Sequence, residues 1–143
     1  MQQKPSLSVI TPKPDFGADA VRLAAVASDV WFERLESIKS LQSGWDSYSA
    51  PAPGAVAFAN ALAFLQVLKL ADKVPSKLAP SVVGGIGITF KNAARKVYVE
   101  FNNKGGVLAL FSDGVSDPRV EKISPDEKAY LELIGKIKTY LDE

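Results

Sequence analysis

The sequence predicts an α+β domain built from two N-terminal helices, a three- to four-stranded antiparallel meander and a C-terminal helix, with the helices on one face of the sheet. Three observations predict it. Apolar residues recur at three- and four-residue steps up to about Asp72, alternate with a period of two from Ile86 to Phe111, and return to the helical step after Ser124.

Residues 1–17 carry Pro5, Pro12 and Pro14 among scattered polar residues and read as an extended or disordered arm. Residues 18–143 form a single α+β domain. From Asp19 to Leu41 the stripe Leu23, Val26 or Ala27, Val30, Trp31, Leu35, Ile38 and Leu41 predicts helix, either one bent helix or two short ones restarting at Ser28-Asp29. Gly44 supplies the left-handed C-cap. Pro53 suits the first turn of a second helix, where its missing N–H costs nothing. That helix runs to about Asp72 and is apolar almost all round. Such a helix is central in a core or partly covered by another subunit.

Pro75 and Pro80 break the chain. Ile86, Ile88 and Phe90 then alternate with Gly87 and Thr89, Val97, Val99 and Phe101 with Lys96, Tyr98 and Glu100, and Val107, Ala109 and Phe111 with Leu108, Leu110 and Ser112. The gaps KNAAR and NNKGG are of hairpin length. Arg119 to Ile123 is a further strand candidate. Ser124-Pro125-Asp126-Glu127 reads as a capping box, with Ser124 as N-cap and Pro125 at N1. Tyr130, Leu133, Ile134, Ile137, Tyr140 and Leu141 form the stripe of the last helix.

Composition narrows the chemistry. The chain has 47% apolar and 23% charged residues, and its 17 basic and 16 acidic side chains leave a formal charge of +1. No strong field follows, so nucleic acid is disfavoured as a partner. With no Cys and no His, thiol nucleophiles, Ser–His hydrolase chemistry and most transition-metal sites are excluded. No catalytic residue, cofactor or metal site is expected. The N-terminus lacks the apolar core of a secretory signal. Ala55–Ala71, interrupted by Asn60, Gln66 and Lys69, falls short of a membrane span. A cytoplasmic protein without membrane contact is the expectation.

Leu41–Pro53, LQSGWDSYSAPAP, sets Trp45 and Tyr48 in a segment otherwise made of loop formers. Trp45, Asp46 and Tyr48 form one candidate binding surface, since Trp and Tyr give large contact area with few torsions to freeze. The competing reading, which we prefer, has Trp45 plugging the junction between the second helix and the sheet while Asp46 caps local N–H groups. Gly44-Trp45-Asp46-x-Tyr48-x-Ala50-x-Pro, with the Ala-rich helix, Pro-rich step, Gly-Gly turn and meander, resembles a family of small, largely uncharacterised bacterial and phage-borne proteins over about Leu35 to Ser112. The chain departs from the family's usual pattern at Ser49, where Gly is usual, and at Thr89-Phe90, where an acidic-Trp pair is usual. The resemblance implies a microbial or mobile-element origin and no particular activity.

Tyr98, Leu108 and Leu110 are the second candidate binding set, because the third strand is apolar on both sides, so that the N-terminal arm, a helix or a partner covers the outer one. Lys91, Arg95, Lys96 and Lys104 are the residues a nucleic-acid or nucleotide binder would use. Asp113, Asp117 and Glu121 would serve a Mg²⁺-dependent carboxylate hydrolase, although Asp113-Gly114 and Asp117-Pro118 are ordinary turn dipeptides. Gly84-Gly85-Ile86-Gly87 precedes a strand rather than a helix, which suits a tight turn and not a phosphate cradle. The leading expectation is a small non-enzymatic protein-binding module, an antitoxin, anti-defence inhibitor or adaptor, that meets a protein partner or a second copy as a homodimer.

Overall fold

Strict alternation along the strands puts one set of apolar side chains under the helices and leaves the other set facing away. The computed structural model describes residues 29–142. The arm expected over residues 1–17, and the helix start expected from Asp19, lie outside the described residues. Within them, helix α1 covers 29–38, α2 Ala55–Leu70 and α3 Glu127–Asp142. Strands β1 (Lys77–Pro80), β2 (Gly85–Asn92), β3 (Arg95–Asn102), β4 (Val107–Ser112) and β5 (Arg119–Ile123) form one antiparallel sheet in chain order.

The α+β class and the placement of the helices are as the periodicity predicts. On the helix side, Ile86, Ile88, Phe90, Val97, Val99, Phe101, Val107, Ala109 and Phe111 are all buried. Phe64 of α2 sits at the centre, with ring centroids 6.2 Å from Phe90, 5.5 Å from Phe101 and 5.3 Å from Tyr130 of α3. Edge-to-face and tilted contacts of this kind add to the burial energy of the rings. Helix α2 is central: Ala57, Ala61, Phe64, Leu65, Val67 and Leu68 are buried, and Trp31 and Phe32 of α1 join the same core. Its apolar surplus is largely used inside the fold. Among the described residues no helix is long and apolar enough to cross a membrane.

Several boundaries differ from expectation, each for a local reason. The sheet gains a strand, β1, where Pro75 and Pro80 suggested only a break; Pro80 ends an edge strand, where a missing N–H is tolerated. Helix α1 stops at residue 38, well before Gly44, where the backbone tightens to i−3 bonds from the Lys39 N–H to the Glu36 carbonyl and from the Leu41 N–H to the Ile38 carbonyl, both 3.1 Å. Val30 is exposed and Phe32 packs in its stead. Pro53 precedes the N-cap Gly54 rather than occupying the first turn. For α3 the N-cap is Asp126, whose Oδ1 accepts the Ala129 N–H at 2.9 Å, so Ser124 and Pro125 lie outside the helix.

Candidate functional site

The linker is a loop that closes on itself. Gly44 has φ +84°, and its N–H donates to the Ala50 carbonyl at 2.9 Å. Asp46 Oδ1 accepts the N–H groups of Tyr48 (3.0 Å) and Ala50 (3.2 Å), which makes Asp46 a loop staple. The Trp45 indole donates to the Pro51 carbonyl at 2.9 Å and its ring is half-buried, outside the main core. Trp45 therefore braces the loop and does not plug the helix–sheet junction. Tyr48 is 86% exposed and enters the loop's bonding only through its backbone N–H. The motif is split: two residues hold its shape and one is free.

The tie from linker to sheet is a residue the sequence reading passed over. Asn103, in the β3–β4 turn, accepts the Gly54 N–H at 2.7 Å and donates to the Ala52 carbonyl at 2.9 Å. Glycines make room for it, since a Cβ on Gly84 would stand 3.0 Å from Asn103 Nδ2. The Gly84-Gly85 turn is the tight entry to β2 that its composition suggests: φ is +97° and +128°, and a Cβ on Gly85 would run into the Phe101 carbonyl.

The outward face of the sheet brings the second candidate set together. Strand register aligns Lys77, Thr89, Tyr98, Leu110 and Val120 in one row and Ala79, Gly87, Glu100, Leu108 and Lys122 in the next. Tyr98, Leu108 and Leu110 are half-buried, and Val120 is 58% exposed. The Tyr98 ring lies diagonally over Gly87, close enough that a Cβ there would overlap its terminal atoms. Cross-strand diagonals of this kind are within reach of an aromatic side chain. Tyr98 Oη donates to Glu100 Oε1 at 3.0 Å, and Ser81 Oγ donates to the same oxygen at 2.9 Å. Burial, then the charge and hydrogen bond of Glu100, push the Tyr98 pKa up to about 12, so the phenol remains a donor throughout the physiological range. Beside it lies a hollow of about 270 Å³ lined by Lys77, Ala79, Ser81, Val82, Thr89 and Tyr98.

The cationic set is not assembled as one site. Arg95 docks onto the end of α3, donating to the Tyr140 carbonyl at 3.3 Å with its guanidinium 4.8 Å from the Tyr140 ring centroid. Lys104 sits in the β3–β4 turn at the far end of β3, a strand length of roughly 25 Å from Lys96. Only Lys91 and Lys96 remain together, facing each other across β2 and β3 on the outward face. The carboxylates are also dispersed. Asp113 Oδ1 accepts the Val115 and Ser116 N–H groups at 2.9 and 2.8 Å, and these bonds lower its pKa. Glu121 is on the helix side, bonded to Lys136 at 2.9 Å and Arg119 at 3.1 Å, with the Lys136 bond the main cause of its lowered pKa. Among the described residues no group of three or more such side chains is placed to hold a metal ion.

Among the described residues, the fold is a small α+β arrangement with one sheet face packed under the helices and the other not covered by them. Compared with known proteins, the chain matches no family model, no curated protein and no solved structure.

Proposed function

We propose that the chain is a small non-enzymatic protein-binding module whose contact surface is the outward face of the sheet. The observation that carries this reading is the ridge Tyr98–Leu110–Val120 with Leu108 beside it, an apolar strip that no described helix covers. Apolar strips rimmed by polar side chains mark protein contacts. Tyr98 is the anchor, held rigid by Gly87 beneath it and Glu100 at its hydroxyl, so little side-chain entropy is lost on contact.

The linker's resemblance to bacterial and phage-borne proteins supports a microbial accessory role such as antitoxin, anti-defence inhibitor or adaptor, acting in the cytoplasm. Trp45 and Asp46 serve that role by shaping the loop, not by touching the partner. An affinity capture from bacterial lysate tests the reading. Leu110→Asp removes the captured protein while Trp45→Phe retains it. Capture that is indifferent to Leu110→Asp, in a variant shown to be folded by circular dichroism, refutes the outward face as the contact.

A further inference from the structure

The geometry points to an acidic amphipathic protein segment as the occupant of the outward face, an inference that rests on the protein-binding reading and adds the partner's chemistry. Lysines frame the apolar ridge. Register sets Lys77 at one end of the Tyr98–Leu110–Val120 row, Lys91 and Lys96 in the row on one side, and Lys122 at the end of the row on the other. All are exposed, and none has a carboxylate partner among the described residues. Elsewhere among the described residues, Lys39, Lys69 and Lys136 are paired with Glu36, Asp29 and Glu121.

Lys91 and Lys96 stand directly opposite each other across the ladder. Like charges in that position destabilise a sheet, and a carboxylate laid between them relieves the repulsion. Glu100 is the one acid among the aligned outward positions of the strands, and one of its oxygens is already taken by Ser81 and Tyr98. The face therefore presents a positive frame around an apolar centre, the complement of a segment alternating acidic and apolar side chains.

The other occupants fit less well. A second copy docked face to face about a two-fold axis would set lysine frame against lysine frame. Strand addition at the sheet edges is hindered on both sides. On β1, Pro80 ends the strand and Arg34 Nε donates to the Leu78 carbonyl at 3.1 Å. On β5, Arg119 and Glu121 put charges on the helix side of the edge. A single-stranded nucleic acid would find one aromatic ring, with Leu110 and Val120 continuing the row where stacking platforms need further rings.

The test uses the full chain labelled for amide NMR and titrated with synthetic peptides alternating leucine with glutamate, the same peptide with glutamine for glutamate, and oligo(dT). The inference expects the glutamate peptide to shift amides of β3 and β4, with affinity that falls as salt rises. Lys91→Glu should weaken that binding about tenfold or more. The same substitution sets a carboxylate opposite Lys96 and should leave the melting temperature unchanged or raised, which separates lost binding from lost folding. Equal binding of the glutamine peptide overturns the acidic chemistry while leaving the protein-binding reading intact. Shifts confined to oligo(dT) overturn both, and no shift with any probe overturns the acidic-segment inference, with lysate capture then deciding the reading beneath it.

Discussion

Asn103 shows how much a single turn residue can decide. It holds the linker to the sheet through one donor and one acceptor, between Gly54, Ala52 and Gly84. Asn103→Ala leaves the Gly54 N–H and the Ala52 carbonyl without these partners, and the expected loss is about 1–3 kcal/mol in urea unfolding. Asn103→Asp keeps the acceptor and should lose less. Nothing in NNKGG distinguishes Asn103 from Asn102, whose Oδ1 merely closes the turn on Lys104 and Gly106. Both are turn formers by type, and only the chain brought alongside from some fifty positions away gives one of them a second task. Asp46 is the opposite case. Its bonds run to Tyr48 and Ala50, so its staple role is readable from local composition.

At the scale of elements, the apolar stripe of α3 was legible and its start was not. Tyr130, Leu133, Ile134, Ile137 and Leu141 are buried as their spacing predicts. The start of α3 is displaced by two residues because Ser124 and Asp126 both have capping side chains and Asp126 wins by accepting from Ala129. Asp126→Ala should therefore cost about 1 kcal/mol and Ser124→Ala a few tenths, measured as shifts in the urea midpoint. A capping box at Ser124 would reverse that order. Strand β1 was missed because its four residues are too few to show a period and two prolines border them. Its partner decides its state: Leu78 is buried opposite Ile88, and the ladder from Lys77–Thr89 to Pro80–Ile86 completes the sheet.

For the molecule as a whole, two phenols on opposite faces of the sheet contribute to alkaline behaviour. Tyr98, on the outward face, and Tyr130, in the core, both have pKa values pushed from 10.0 to about 12, chiefly by burial and secondarily by Glu100 and Asp126 respectively. A raised pKa means the folded protein holds its protons more tightly than the unfolded chain does. The associated stability is complete below about pH 10 and is lost as pH rises through about 12. Melting temperatures should therefore fall over that window, and fall less steeply in Tyr98→Phe and Tyr130→Phe. A Tyr98→Phe protein with the wild-type slope, or a phenolate titration complete near pH 10, would show that Glu100 and burial leave Tyr98 unperturbed.

The sequence by itself determined the α+β class, the buried faces of β2, β3 and β4 and the stripe of α3, because these rest on periodicities of two and of three to four that need no knowledge of the rest of the chain. It also placed Tyr98, Leu108 and Leu110 on a common side. Tertiary structure alone decided what that side is. The register of each hairpin, which the alternation alone does not fix, set Tyr98 over Gly87, paired Lys91 with Lys96, and left Lys104 at the opposite end of the sheet. A charge count of +1 averages over both faces of the molecule. The lysine frame emerges only when the sheet sorts those charges, since β1, β2, β3 and β5 contribute one lysine each and no single segment holds the pattern.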